Sequence, residues 1–369
     1  MKVPFNDLYS QHQSLLSQFM NSLEQGIRES AFILGSDVQE FENRFAEWGN
    51  FQYVVGVANG SDAIRISLNE LGISQGDKVL VAANSYFAAP AAIAQLKATP
   101  VFIDVELSSR FPSKSNFDVI NHAEIKGIIR SHLFGGADIT ELPANLDKRI
   151  QIHDSSQAHG TLVNGKHIGV DGTATFSFYP GKNLGAMGDA GAITTTSKDL
   201  YNRLLKSRNQ GTGEDKYLHE TLGGNSRLDS LQARILSIKL QFLNDNNVLR
   251  TNIVNRYRKN IDQIDSRIQF FNYAPNITPS HHLLQIRVTD IKAKNLIEYL
   301  KNKNITCGQH YPIPLHLQPA FQFLNYAKGD FPNCEKLANE TLSLPLYPAM
   351  TNAQIDFVSE SILEYFAKN

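Results

Sequence analysis

Three stretches of this 369-residue chain carry polar side chains in settings where chemistry could be done. The most informative is Ser177–Gly191, SFYPGKNLGAMGDAG, a glycine-rich loop between a strand-like run ending at Phe178 and another starting near Gly191. Lys182 is its single lysine, and the only one between Lys166 and Lys198. Apolar and glycine neighbours favour a buried amine whose pKa falls towards that of a nucleophile, although a loop lysine is more commonly solvated. The second stretch, Ile150–Asp154, ends a strand-like run in a carboxylate, with Gln157 three residues on. In an open parallel sheet such strand ends face the ligand crevice, where an acid can hold a protonated ring nitrogen. A turn-forming Asp is the plainer alternative. The third stretch, Ala58–Ala63, leaves a strand-like run and opens a helix at Gly60 and Ser61. Free backbone N–H groups and the positive dipole end bind phosphate there, unless Ser61 merely caps the helix.

Each signal is weak alone; together they gain meaning. A phosphate-binding turn, an acid at one strand end and a lysine after a later one are the fixtures that pyridoxal phosphate needs, since its chemistry uses a Schiff-base lysine and an acid at the pyridine nitrogen.

The elements that must position these residues alternate in a βαβ grammar. Tyr53 to Val57, Lys78 to Ala82, Thr99 to Val105, Ile125 to Ile129, Arg149 to His153, Thr173 to Phe178 and Gly191 to Thr196 are short, β-branched and continuous, as strands of a parallel sheet buried on both faces would be. Between them, Ser61 to Leu71 carries an apolar stripe of Ala63, Ile64, Leu68 and Leu71 and stops at Gly72, which predicts a helix. A long amphipathic stretch from Asp229 to about Ile261 changes the texture. Beyond it the chain predicts a strand over Leu283 to Val288 and helices over Lys292 to Lys303 and Asn352 to Phe366. The expected division is a large cofactor-binding domain, 1–243, and a small C-terminal domain, 244–369.

Composition narrows the function further. Lys plus Arg 35 against Asp plus Glu 36 gives a net charge of −1, which argues against a nucleic-acid partner. No apolar run of ~20 residues is uninterrupted, and the N-terminus lacks a basic segment leading into an apolar one, so neither a membrane span nor a leader is expected and the cytoplasm is the default. Cys307 and Cys334 have neither disulfide-framework nor metal-site spacing and should be reduced thiols; no metal is expected.

The motifs NGSDA (59–63), HDSSQAHG (153–160), SFYPGKNLGAMGDAGA (177–192), GGNSRLDSLQARIL (223–236) and HYPIPLHLQPAF (310–321), with the opening PFNDL (4–8), resemble the DegT/DnrJ/EryC1/StrS sugar-aminotransferase family. The likeness covers essentially the whole chain. It implies the aspartate-aminotransferase fold (fold type I), an α/β architecture with a mixed, mostly parallel sheet flanked by helices and a smaller α+β C-terminal domain. Within the family the SFYPGKNLGA loop is similar to that of enzymes aminating C3 of a dTDP-linked 3-keto-6-deoxyhexose, whereas relatives acting at C4 more often differ around the lysine.

By that resemblance Lys182 is the catalytic lysine, holding pyridoxal phosphate and shuttling a proton. Asp154 keeps the pyridine nitrogen protonated, Gln157 lies near the phenolic oxygen, Tyr86 stacks on the ring, and Gly60, Ser61 and Ser177 bind the phosphate. Asn225 reaches the phosphate of a neighbouring subunit, which implies a homodimer with shared active sites. For the sugar the resemblance points to Tyr179, His310, Tyr311 and, from the second chain, Lys216, with His316 as a further candidate or a simple loop cap. L-Glutamate would convert the cofactor to pyridoxamine phosphate, releasing 2-oxoglutarate, before the keto sugar accepts the amine. His153, Ser155, Ser156, Ser61 and Tyr86 depart from the family's commoner residues; the Tyr86 hydroxyl could reach substrate while its ring serves the cofactor.

Other readings remain open at this level. One is amination at C4; another is a pyridoxal-phosphate sugar dehydratase, which the presence of Lys182 rather than histidine disfavours. A non-catalytic cofactor-binding regulator is a third, and a nucleotide-binding α/β protein using the Gly60 turn is a fourth.

Overall fold

Short runs of Val, Ile and Ala that are apolar on both sides become the central sheet, as burial of both faces requires. The computed structural model describes residues 1–262 and 264–368. Strands β1 (Tyr53–Val57), β2 (Lys78–Ala82), β3 (Thr99–Ile103), β4 (Ile125–Ser131), β5 (Ile150–Asp154), β6 (Ala174–Ser177) and β7 (Gly191–Thr195) form one sheet. Their order is β1-β7-β6-β5-β4-β2-β3. β2 pairs in parallel with β3 and β4, β4 with β5, and β5 with β6, as expected from the sequence. β7 departs from that expectation and runs antiparallel to both β1 and β6. The physical reason is the Phe178–Ala190 connection: it contains no helix to carry the chain back across the sheet, so the next strand returns in the opposite sense.

Neighbouring residues of β1 show how both faces are covered. Val54 packs with Phe41 and Phe45 of helix Ser36–Gly49 and with Ala233 and Leu236 of helix Ser230–Leu240. Val55 and Val57 point the other way, onto Ala63 and Ile66 of helix Gly60–Glu70 and onto Leu200 and Leu204 of helix Lys198–Ser207. Helix Ser36–Gly49 lies outside the elements predicted from the sequence, although Val38, Phe41 and Phe45 follow helical spacing. Its Phe45 and Phe41 stand edge-on to Phe178, each 5.4 Å from it between centroids, and pin the end of β6. Truncating Phe178 to Ala would remove that anchor at about 3–5 kcal/mol.

The C-terminal half builds a second, antiparallel sheet from β8 (Ile268–Phe270), β9 (Leu284–Val288) and β10 (Thr341–Leu344). Helices Leu243–Ile261, Ala293–Asn302 and Asn352–Lys368 share its core through Tyr257, Leu300 and Ile362. The packing crosses residue 243 in both directions. Val3 is buried in this second core, donating to the Asn304 carbonyl and accepting from Thr306 N–H, both at 2.9 Å. Leu315, Phe321, Cys334 and Leu337 pack instead with β2 and β4 of the large sheet. Among the described residues no helix is long and apolar enough to cross a membrane, and no group of His, Cys, Asp and Glu side chains could hold a metal ion.

Candidate active site

A cleft of about 580 Å³ opens where the carboxyl ends of the parallel strands meet the C-terminal half. The large sheet contributes Gly60 and Ser61, Tyr86, His132, Asp154, Gln157, Ser177, Tyr179 and Lys182; the C-terminal half contributes Arg250, His282, His310 and Tyr311. The three stretches singled out by residue type thus converge, as strand-end geometry requires.

Helix Gly60–Glu70 starts at the cleft. Its N-cap, Asn59, accepts the Asp62 N–H on Oδ1 at 2.8 Å, while the N–H groups of Gly60 and Ser61 fall in the first turn, where a helix offers no carbonyl partner. Gly60 is required by a close approach: a Cβ there would lie 2.6 Å from that of Ser177. Only glycine lets the helix start and the end of β6 sit against one another.

The Lys182 loop is held from several sides. Phe178 N–H donates to Ala190 O at 2.8 Å, Ala186 N–H to Phe178 O at 2.7 Å, and Lys182 N–H to Tyr179 O at 2.8 Å. Gly185 passes so near the Pro180 carbonyl that a Cβ would come within 2.3 Å of the oxygen. Lys239 donates to the Gly185 carbonyl and, at 2.9 Å, to His12 Nε2. Asn183 uses its whole amide: Nδ2 donates to Asn247 Oδ1 and Ser280 O, both at 2.8 Å, and Oδ1 accepts from His282 Nδ1 at 3.1 Å.

Electrostatics distinguish the two central groups. Burial lowers the Lys182 ammonium to about 8, partly opposed by the Asp154 carboxylate. Burial raises the pKa of Asp154, whose Oδ1 accepts the Ser156 N–H at 3.1 Å; the charge of Lys182 acts in the other direction. Beside it, His132 and His153 stack with centroids 5.2 Å apart. His132 Nδ1 accepts the Asp138 N–H at 3.1 Å, so its Nε2 is the donor to His153 Nδ1 at 2.9 Å. Burial lowers both imidazoles, His153 to about 4, so the pair is neutral at neutral pH.

At the C-terminal wall, Gln285 Nε2 donates to the His310 carbonyl at 2.7 Å, and His310 Nδ1 lies 2.9 Å from Ser343 Oγ. The His310–Tyr311 peptide bond is cis. The Tyr311 ring lies 5.6 Å from that of Tyr86, and Gln157 bonds to its hydroxyl. Tyr86 and Tyr179 stand at the mouth, 51% and 60% exposed.

Three candidates lie elsewhere. His316 is buried against Phe331, 4.7 Å between centroids, with Nε2 3.1 Å from Glu335 Oε1, and does not line the cleft. Lys216 and Asn225 sit on an exposed excursion outside this chain's own cleft, near Tyr217 and Leu222, which are 80% and 100% exposed. His132, Arg250 and His282 line the cleft without having been singled out by motif. His132 directly follows β4, so the strand-end rule that selects Asp154 also selects it; Arg250 lies within an arginine-bearing helix and carries no local signal.

The sequence profile of the DegT/DnrJ/EryC1/StrS aminotransferase family matches residues 13–363. The chain is 36% identical to the pleiotropic regulatory protein of Geobacillus stearothermophilus over 99% of each chain. It is also 36% identical to the dTDP-3-amino-3,6-dideoxy-alpha-D-galactopyranose transaminase of Aneurinibacillus thermoaerophilus, covering 98% of this chain and 99% of that one. The fold matches the crystal structure of S. venezuelae DesV with a TM-score of 0.92 and 32% identity, over 99% of this chain and 98% of the other. Other relatives are named for UDP-linked and GDP-linked sugars.

Proposed function

The chain belongs to the DegT/DnrJ/EryC1/StrS aminotransferase family, and from that premise we propose that it moves an amino group from L-glutamate to C3 of a dTDP-linked 3-keto-6-deoxyhexose in the cytoplasm. One observation carries the reading: a lysine and a carboxylate share one cleft, and burial tunes the lysine down to about 8 and the carboxylate up. The C3 position is supported by the SFYPGKNLGA sequence around Lys182 and by the identity to a relative named for a 3-amino-3,6-dideoxyhexose.

The residues fit the family's cofactor, pyridoxal phosphate. Asp154 is a buried carboxylate with no cationic hydrogen-bond partner among the described residues, which suits a protonated ring nitrogen. The first turn of helix Gly60–Glu70, with the Ser177 hydroxyl beside it, suits a phosphate. Gln157 has a second amide hydrogen for the phenolic oxygen, and Tyr86 offers its ring. When bound, the group supplies an electron sink and the carbon through which the amine passes.

The chain's own residues do the rest. With a pKa near 8, Lys182 is free amine in about a tenth of molecules at neutral pH, far more than an unshifted lysine would be, enough to attach the cofactor and then carry a proton on Nζ to and from the reacting carbons. Asp154 holds the ring nitrogen's proton. Tyr179, His310 and Tyr311 face the sugar, His310 as a neutral imidazole because burial lowers it to about 4. The exposed excursion bearing Lys216 and Asn225 serves the cleft of a second copy, giving a homodimer with shared sites.

The test starts from enzyme converted by glutamate to its amine-bearing form and freed of small molecules. Portions are mixed with dTDP-linked 3-keto and 4-keto 6-deoxyhexoses and a UDP-linked 3-keto sugar, and the visible band of the lysine-bound cofactor is followed. Its return with the dTDP-linked 3-keto sugar alone is expected. Return only with the 4-keto sugar overturns the regiochemistry, return only with the UDP-linked sugar overturns the nucleotide, and no return overturns amine transfer to these sugars.

A further inference from the structure

Arg110 lies behind the C-terminal wall of the cleft and does not line it. It is 2% exposed, and no carboxylate pairs with it among the described residues. Aromatic faces surround the cation instead: Cζ stands 4.0 Å from the ring centroid of Phe271, 4.9 Å from that of Phe134 and 5.7 Å from that of Tyr273. Burial lowers its pKa, yet an arginine keeps its charge at neutral pH.

Rings meet few of a guanidinium's N–H groups, so the oxygen acceptors around it decide what it holds. Nη1 donates to Gln285 Oε1 at 3.0 Å, while the bonds from Nη2 to the Tyr273 hydroxyl and from Nε to the Ser109 carbonyl are longer, each 3.4 Å. Gln285, itself 3% exposed, thereby has its amide turned one way. Flipped end for end, the amide would set its NH2 against the guanidinium and its oxygen against the His310 carbonyl, replacing two hydrogen bonds by two repulsions. With Oε1 on Arg110, Nε2 is left to donate to the His310 carbonyl at 2.7 Å. Among the described residues this is the one hydrogen bond made by the main chain of His310 and Tyr311. The same arginine reaches the opposite side of the cleft mouth through its backbone, since Asn84, two residues before Tyr86, donates from Nδ2 to the Arg110 carbonyl at 2.8 Å. A cavity of about 20 Å³ among Asn84, Arg110, Gln285 and His310 has room for no more than a water molecule, so these groups sit behind the substrate space.

We propose that Arg110 is a positioning residue for the sugar: through Gln285 it fixes the His310 carbonyl, and with it the place of His310 and Tyr311 in the cleft. The assignment rests on the reading above that these two residues face the sugar, and adds what holds them there.

The test uses holoenzyme, wild type and the variants Arg110→Met, Gln285→Met, their double and Gln285→Glu. Each is assayed with L-glutamate alone and with the dTDP-linked 3-keto-6-deoxyhexose, or with the 4-keto or UDP-linked sugar if wild type takes that one instead. Arg110→Met and Gln285→Met should each raise KM for the sugar by roughly five- to tenfold, the worth of one net hydrogen bond, with kcat and the glutamate half-reaction within about twofold of wild type. The double variant should be no worse than either single one, because both cut the same chain of contacts. Gln285→Glu separates positioning from stability. Its carboxylate gives the buried cation a counter-ion, so the melting temperature should hold or rise, while loss of the donor to His310 should still raise KM.

A sugar KM within about twofold of wild type in a folded single variant overturns the assignment. So do additive losses in the double variant, since Arg110 then acts by another route, and a glutamate half-reaction slowed as much as the sugar one, which marks general damage to the cleft. Should the methionine variants fail to fold, Gln285→Glu decides alone, and its own failure to fold would contradict the unpaired cation on which the assignment stands. Wild type that aminates none of the three sugars overturns the transfer reading, a result obtained before any variant is compared.

Discussion

Gln157 and Tyr311 join the two walls of the cleft: the amide Nε2 donates to the phenol at 2.9 Å, while Oε1 accepts the Phe134 N–H at 2.8 Å. A residue three beyond Asp154 thereby fixes one from the C-terminal half. Tyr311→Phe removes the acceptor and leaves a buried amide N–H without it. Stability should fall by about 1 kcal/mol and kcat/KM for the sugar by about two- to tenfold, checked by thermal melts and steady-state kinetics. A fall of kcat by a hundredfold would instead make the hydroxyl a proton carrier.

Lys182→Ala should abolish turnover while leaving circular dichroism and the melting temperature close to wild type, because it removes a half-buried amine that makes no side-chain hydrogen bond or ion pair among the described residues. Borohydride treatment of wild-type holoenzyme should fix the cofactor to the chain, and the variant should release it. Normal steady-state rates in the variant would refute the role of Lys182.

Asp154→Asn keeps the shape and removes the carboxylate charge that, in the proposed amine transfer, would hold the ring nitrogen's proton. Both half-reactions should slow by roughly 10²- to 10³-fold, as for loss of a preorganised electrostatic partner. Stopped-flow spectra with glutamate alone check the first half. An unchanged rate there would remove Asp154 from the mechanism.

The amine of Lys182 also sets a pH dependence. Its pKa in the fold is about 8, below the 10.5 of a free lysine, so the folded apoenzyme binds fewer protons than the unfolded chain between those values. Stability contributed by this group therefore rises with pH from about 8 to about 10.5 and is lower below that window. Attachment of pyridoxal phosphate to apoenzyme needs the free amine, so its rate should rise with pH to a plateau with a midpoint near 8. A rate still climbing tenfold per pH unit above 9.5 would show an unshifted lysine.

Gly185→Ala places a Cβ 2.3 Å from the Pro180 carbonyl oxygen, which lies in backbone and cannot swing aside. The loop must shift, at about 1–3 kcal/mol of stability, and cofactor affinity should fall with it. Melting curves with and without added pyridoxal phosphate separate the two effects. An unchanged melt together with unchanged affinity would mean that the loop tolerates displacement.

The parts of the site that could be read from the chain are those whose cue is local. Gly60, Asp154 and Lys182 each stand at the end of a strand-like run, and β1, β2, β5, β6 and β7 lie within a residue or two of the runs that predict them. The sense of β7 has no local cue, because it follows from the absence of a crossover helix. Arg250 and His282 reach the cleft only because helix Leu243–Ile261 and the residues before β9 fold back onto the Lys182 loop. His316 shows the converse: it shares a motif with His310 and Tyr311, but the turn after Pro314 aims its ring at Phe331 and Glu335. Sequence proximity does not set direction.

The fully used amide of Asn183 has a mechanical consequence. It sits next to Lys182 and is bonded at once to Asn247, Ser280 and His282, so the lysine's loop is laced to the helix and strand lead that open the C-terminal half. Any tilt of that half against the large sheet must pull on Lys182's own backbone neighbour. Through Asn183, a displacement of either wall would be felt at the lysine.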